Sequence, residues 1–233
     1  MSDLKLSHIG RLSRRSAVEL CLGALAAATL GILCLTLPAG ADRAQAGPDA
    51  DLAEFMKPGT LPDNSMGSDE APVTIVEYSS LTCPHCANFH QLTLPELKEK
   101  YIKTGKVRYI IRPYPLDRIA FAAAALARCA GQDKYFAFTD ALYKQQETWA
   151  QGEGSPAPRL FNMAKQAGFT QETFNACMRN KKVIDHIEST RIRGKEKFGV
   201  ESTPTLFING KKLDSRTNSL SDIETAMEPY LKG

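Results

Sequence analysis

"VEYSSLTCPHC", residues 76–86, decides the fold of this chain. It joins an apolar, β-branched run to two cysteines two residues apart. The run begins upstream as "VTIVEYS", 73–79, and predicts a buried strand. A helical pattern, "CPHCANFHQLTLPELKEKYIKTG", follows at once. Cys83 fits the N-cap, and Pro84 fits the first helical position, where a missing N–H costs nothing. Phe89, Leu92, Leu97 and Ile102 supply an apolar face. Pro95 is expected to kink the helix, and Gly105 to cap it. The cysteine pair then has three readings: part of a metal site, a structural bridge, or a reactive dithiol. A zinc site needs about four ligands. Cys83, Cys86, His85 and His90 on one helix cannot close a tetrahedron, and no second CxxC or HxxxH occurs. A permanent bridge across so short a loop is strained. The bridge stays possible on this stretch alone; the reactive reading, with no metal, is the one that the compartment and the rest of the chain favour.

"KVRYIIRPYPL" predicts a second strand that runs into a proline-broken turn. From 117 to 199 the pattern turns helical, in "RIAFAAAALARCA", "KYFAFTDALYKQQ", "APRLFNMAKQAG", "TQETFNACMRN" and "VIDHIESTRIRGKEKFG". "QGEGSPAP" separates the second of these from the third. "TPTLFING" reads as a strand, its Asn-Gly marking a hairpin into "KKL". "SLSDIETAMEPYL" closes as a helix capped by Ser219 or Ser221. The order is strand, CxxC helix and strand, then a helical block, then a hairpin and helix. These are the elements of one α/β unit interrupted by a helical insertion.

The remaining stretches concern location. Arg11, Arg14 and Arg15 precede an uncharged run at 20–37, which Pro38 ends, and "AQA" at 44–46 offers small residues for cleavage. Residues 1–46 are therefore expected to be a signal peptide, the alternative being an uncleaved membrane anchor through 20–37. Residues 47–71, polar and rich in Pro, Gly and Asp, form a leader arm with a short strand expected near "EFMKPGTL". The unit itself is expected at 72–116 and 200–233, with the insertion at 117–199. Formal net charge is +3, which gives no electrostatic case for nucleic acid. Without the leader four cysteines remain, Cys83, Cys86, Cys129 and Cys177, an even count suited to an oxidising compartment such as the periplasm.

"VEYSSLTCPHC", followed later by "GVESTPTLFING", resembles the thioredoxin superfamily. Pro-His between the cysteines and the helical insertion make the chain similar to the DsbA-like thiol–disulfide oxidoreductases. The likeness runs from about Pro72 to Leu231. It implies a thioredoxin fold with a helical domain inserted between the second βα part and the C-terminal β-hairpin and helix. It also implies that Cys83 is the nucleophile, Cys86 the resolving cysteine, Glu77 the acid beneath them, and Pro204 a cis-proline beside the dithiol. One departure is Thr203, where the family's best-known oxidases carry valine. It bears on redox strength and substrate preference, not on the fold.

Thiolate, not thiol, attacks a disulfide. A helix N-terminus aims free N–H groups at Cys83 and favours its anion, and His85 is expected to tune it further. A stabilised thiolate makes the disulfide more oxidising. Cys86, one turn into the helix, should be the more buried of the pair and Cys83 the exposed one. Glu77 as a working acid should be buried, its pKa raised toward neutrality. Arg108 or Arg112 on the next strand is its expected partner. His90 has no such case and reads as a surface or packing residue. The Thr203 backbone, ahead of Pro204, would pair with an extended substrate like an added strand. Cys129 and Cys177 are expected to form a structural disulfide, against the alternative of two buried free thiols.

The reading that results is an exported thiol oxidase that needs no cofactor. Its expected partners are reduced, unfolded exported proteins and a quinone-linked, DsbB-like membrane re-oxidant, and it is expected to be a monomer. An isomerase or reductase on the same scaffold is the alternative, and a binding or chaperone module with an incidental dithiol a more distant one.

Overall fold

The computed structural model describes residues 48–214 and 218–232. The expected signal peptide, 1–46, and the apolar run at 20–37 lie outside the described residues. Among those described, no helix is long and apolar enough to cross a membrane.

The sheet is built on β2 (Val73–Ser79), with strand order β1-β3-β2-β4-β5. β3 (Val107–Pro113) lies parallel to β2 in the register Ile75 to Tyr109 and Glu77 to Ile111. β4 (Thr205–Ile208) runs antiparallel on its other side, with Glu77 opposite Leu206. β1 (Asn64–Met66) and β5 (Lys211–Lys212) pair antiparallel at the two edges. Asn209 and Gly210, with φ of 45° and 78°, turn β4 into β5; both are left-handed, as a tight hairpin requires.

Between β2 and β3 the chain forms one long helical connection. α2 (Pro84–Asn88) and α3 (Leu94–Leu97) alternate with π-helical segments at Phe89–Thr93 and Lys98–Ile102. Pro95 stands at the start of α3, directly after the first π segment, where the α-helical ladder is already interrupted. The insertion carries α4 (Arg118–Cys129), α5 (Gln132–Lys144), α6 (Gln146–Ala150), α7 (Pro156–Gln166), α8 (Gln171–Met178) and α9 (Lys181–Phe198). α10 (Leu220–Leu231) closes the chain, with Ser219 as its cap in a capping box with Asp222. α6 lies in a stretch whose Gly/Pro-rich sequel reads as loop; it is only five residues long, too short for a periodic signal.

Alternation along β2 divides the core. Val73 and Ile75 join the larger cluster with Leu81, Cys83, Cys86 and the insertion. Val76 and Tyr78 join a smaller one with Phe55, Ile110 and Phe207. α9 passes so close to Tyr78 that a Cβ on Gly194 would lie 2.7 Å from its ring. Glycine is required there for contact, not for a turn.

The leader arm departs from the expectation. Its first part is helical, α1 (Pro48–Met56), and the strand comes later, at β1. Arg112, fully buried, holds the arm: it reaches Asp63 at 2.8 Å and donates to Phe55 O at 2.8 Å and Lys57 O at 3.3 Å. Its guanidinium also stacks 5.1 Å from the Phe55 ring centre. Arg193 donates to Lys57 O, and Leu61 N donates to His186 Nδ1 at 3.1 Å. A buried charge of this kind is tolerated because every side of it is paired.

Candidate active site

The end of β2 sets the site. Cys83 leaves the strand with extended backbone (φ −81°, ψ 120°) and caps α2, with Pro84 in the first turn. Its N–H donates to Ser80 O at 3.1 Å, and its own carbonyl accepts from Ala87 N. Gln146, buried in α6, donates to Leu81 O at 2.8 Å and Cys83 O at 3.0 Å. It fixes the loop that carries the dithiol. Thr82 donates to Asp117, which also caps α4.

From across the sheet, the loop before β4 completes the site. The Thr203–Pro204 bond is cis, and Cys83 Sγ lies 3.2 Å from Thr203 O. Both cysteines are free thiols. The Cys83 pKa is lowered to about 5, first by the hydrogen bond from Cys86. Burial opposes this, while Thr203 and the backbone N–H groups of Cys86 and His85 add to it. Burial pushes Cys86 well up, and the charges of Cys83 and Glu77 push it further. Two thiols in one motif thus have opposite character. One is a ready anion, the other a proton holder.

Cys83 is not the exposed group that the sequence led us to expect. It is 5% exposed and Cys86 0%, because Gln146, Leu81 and the Thr203 loop enclose the N-cap. The order of burial is as expected, but the contrast between them is electrostatic. His85 is exposed, and what it adds to the sulfur is its backbone N–H.

Glu77 is fully buried on the strand face below the dithiol. Neither Arg108 nor Arg112 pairs with it; they bind Asp69 and Asp63. Its partners are His90 Nε2 at 2.9 Å, Ser79 Oγ at 2.7 Å and the Tyr109 hydroxyl. The expected rise in its pKa is therefore wrong in sign. Burial pushes the carboxyl up, but the charge and hydrogen bond of His90, then Tyr109 and Ser79, outweigh it and hold it below the usual range. Burial alone would raise a carboxyl toward neutrality, and here its partners more than offset it.

His90 is the packing residue of the two readings, not the surface one, and it also pairs with the acid. It is a buried partner of Glu77, its side chain 1% exposed. Its ring stacks 4.1 Å from that of Tyr143, and its Nδ1 lies 3.5 Å from Asp140 Oδ1. Burial pushes its pKa down, but Glu77 and Asp140 prevail and raise it. Its position was readable after all: His90 follows Cys86 by four residues, which puts both on one helix face. Gln146, Tyr109 and Tyr143 left no such trace, since each arrives from a distant segment.

Thus Cys83, Cys86, His85, Glu77, Thr203 and Pro204 converge at one end of the sheet. Cys129 and Cys177 do not. They form a disulfide between α4 and α8, with Cα atoms 6.1 Å apart, inside the normal range for a bridge.

Comparison with known proteins gives the same answer as this geometry. The thioredoxin family profile matches residues 60–228. A putative protein-disulfide oxidoreductase of Rickettsia felis is 33% identical over 175 residues, covering 73% of this chain and 61% of that protein. The chain thus spans about three fifths of that relative's length. A probable disulfide bond formation protein D of Bacillus anthracis is 29% identical over 67% of this chain and 74% of its own length. Among solved structures, alpha-DsbA1 of Wolbachia pipientis superposes with a TM-score of 0.68 at 32% identity, covering 77% of this chain and 95% of that one. The chain belongs to the thioredoxin family and is DsbA-like in sequence and fold.

Proposed function

We propose that this protein is an exported thiol oxidase that donates its Cys83–Cys86 disulfide to folding proteins. The observation that carries the reading is the asymmetry of the dithiol, with Cys83 lowered to about 5 and Cys86 raised. A substrate thiolate attacks Cys83 Sγ, and the electrons of the broken S–S bond leave on Cys86. A second substrate thiolate attacks the substrate sulfur of the mixed disulfide, and Cys83 departs as the stabilised thiolate. Because the reduced form is the favoured one, the disulfide is a strong oxidant.

Reduced, unfolded exported proteins fit as substrates. The Thr203 backbone beside Cys83 suits an extended chain laid down as an added strand. Leu116, 55% exposed, offers apolar surface near the loop, its N–H bonded to Ser80 Oγ. A quinone-linked, DsbB-like membrane protein would return the disulfide. Export to the periplasm through residues 1–46, and action as a monomer, belong to the same reading.

The test is to mix the oxidised protein with reduced, unfolded ribonuclease under anaerobic conditions. Stoichiometric disulfide formation in the substrate is expected. A Cys83–Cys86 potential near that of thioredoxin, about −270 mV, would point to a reductase instead.

A further inference from the structure

We propose that His90 is the proton store for Cys86, passing a proton to and from the buried thiol through Glu77 and Ser79. This deepens the dithiol reading above and holds for exchange in either direction.

The need arises from burial. When the Cys83–Cys86 bond opens, Cys86 leaves as a thiolate with no access to water, since it is 0% exposed. An anion there, beside Glu77, is costly unless it is protonated at once. A connected line of groups lies beneath it. The Ser79 hydroxyl acts on Cys86, lowering its pKa against the rise from burial, and donates to Glu77 Oε1 at 2.7 Å. Glu77 Oε2 meets His90 Nε2 at 2.9 Å. On the far side of the ring, Nδ1 has no formed hydrogen bond but lies at ion-pair distance, 3.5 Å, from Asp140 Oδ1. Asp140 is 42% exposed along its side chain and is bound by Lys98 at 2.7 Å.

The step balances as follows. A thiolate attacks Cys83 Sγ, and the S–S electron pair leaves on Cys86 Sγ. His90 gives its Nε2 hydrogen to Glu77 Oε2, the carboxylic acid so formed turns to present that hydrogen to Ser79 Oγ, and Ser79 passes its own hydrogen to Cys86 Sγ. The products are a Cys86 thiol, a Glu77 carboxylate and a neutral His90 that keeps its Nδ1 hydrogen facing Asp140. When Cys86 attacks a mixed disulfide on Cys83, the same proton returns by the same line. His90 is a positioning and storage group that acts through Glu77. The groups that face it are Glu77 from β2 and Tyr143 and Asp140 from α5, with Tyr109 from β3 bonded to Glu77 and Lys98 bonded to Asp140. Of these, Glu77 and Asp140 hold the imidazolium charged.

The experiment uses the oxidised protein opened by excess reduced glutathione, with acid quench, from pH 5 to 9. Rates are divided by the glutathione thiolate concentration. The wild type should lose rate by about a hundredfold, the low end of what acid–base assistance supplies, through one ionisation as pH rises. That midpoint should coincide with the His90 ring titration followed by NMR. Asp140→Asn, at a half-exposed site, should move both midpoints down together by about one pH unit, the effect of losing one nearby opposite charge. Lys98→Met, which removes a cation behind Asp140, should move both up. A protein that fails to open at all would defeat the dithiol reading. Opening without an ionisation, or with a midpoint that stays put while the His90 titration moves, would overturn the proton store alone.

Discussion

Replacing Cys129 and Cys177 together by alanine is expected to cost stability without touching the dithiol. The bridge closes a chain separation of 48 residues. In the chain-entropy treatment a loop of that length is worth about 4 kcal/mol, as an upper figure. For a domain of this size each kcal/mol corresponds to about 2–4 °C in Tm, so the melting point should fall by up to about 8–16 °C. Most of the effect falls on the unfolded chain, because the bridge pins the end of α4 to α8 across α5, α6 and α7. Urea denaturation of wild type and double variant, both with Cys83–Cys86 oxidised, measures it. The denaturation midpoint should drop while thiol exchange at Cys83 is retained. A loss below about 1 kcal/mol, outside the usual 2–5 kcal/mol for a native bridge, would refute the reasoning.

Three further outcomes follow from the buried groups. Reduction should take up one proton per two electrons above the Cys83 pKa of about 5, so potentiometry should give about −30 mV per pH unit there and about −60 mV below it; a slope of −60 mV at pH 7 would contradict the assigned thiolate. Stability should peak in mildly acidic to neutral solution. The Glu77 carboxyl, held low, contributes above its unfolded value of 4.5 and loses that contribution as pH falls through its folded pKa. His90, held high, contributes fully below 6.5 and loses it as pH rises through its folded pKa. His186, lowered to about 4 by burial and by Arg128, works the other way and destabilises the fold as pH drops from 6.5 to about 4; thermal melts of His186→Gln should show less acid loss over that window, and an unchanged profile would exclude it as the cause. Gln146→Leu strips the buried Leu81 and Cys83 carbonyls of a donor and should cost about 1–3 kcal/mol in urea melts; a neutral result would mean that the loop is held otherwise.

What the sequence disclosed is what local pattern can disclose. β2 was legible as "VTIVEYS" because every residue but one is apolar, β-branched or aromatic, or closes the run. The N-cap role of Cys83 followed from Pro84, and the left-handed hairpin from Asn209–Gly210. The charge state of Glu77 did not follow, because it depends on His90, Tyr109 and Ser79 meeting the same carboxylate from three elements. Arg112 was the natural partner by register, lying opposite Tyr78 on the neighbouring strand. Side-chain alternation sends it to the other face, where the leader arm takes it. α1 was missed for a related reason: a short polar helix is held by tertiary contacts such as Phe55 against Phe207, 4.7 Å between ring centres, not by its own propensity.

The central claim is that the CxxC pair is a polarised dithiol with its anion on Cys83. Alkylation of the reduced protein by iodoacetamide, followed from pH 3 to 9 and mapped by peptide mass, tests it most directly. Labelling at Cys83 should rise through a single ionisation near pH 5, with Cys86 inert across the range. First labelling at Cys86, or a Cys83 midpoint at the ordinary thiol value of about 8.5, would contradict it.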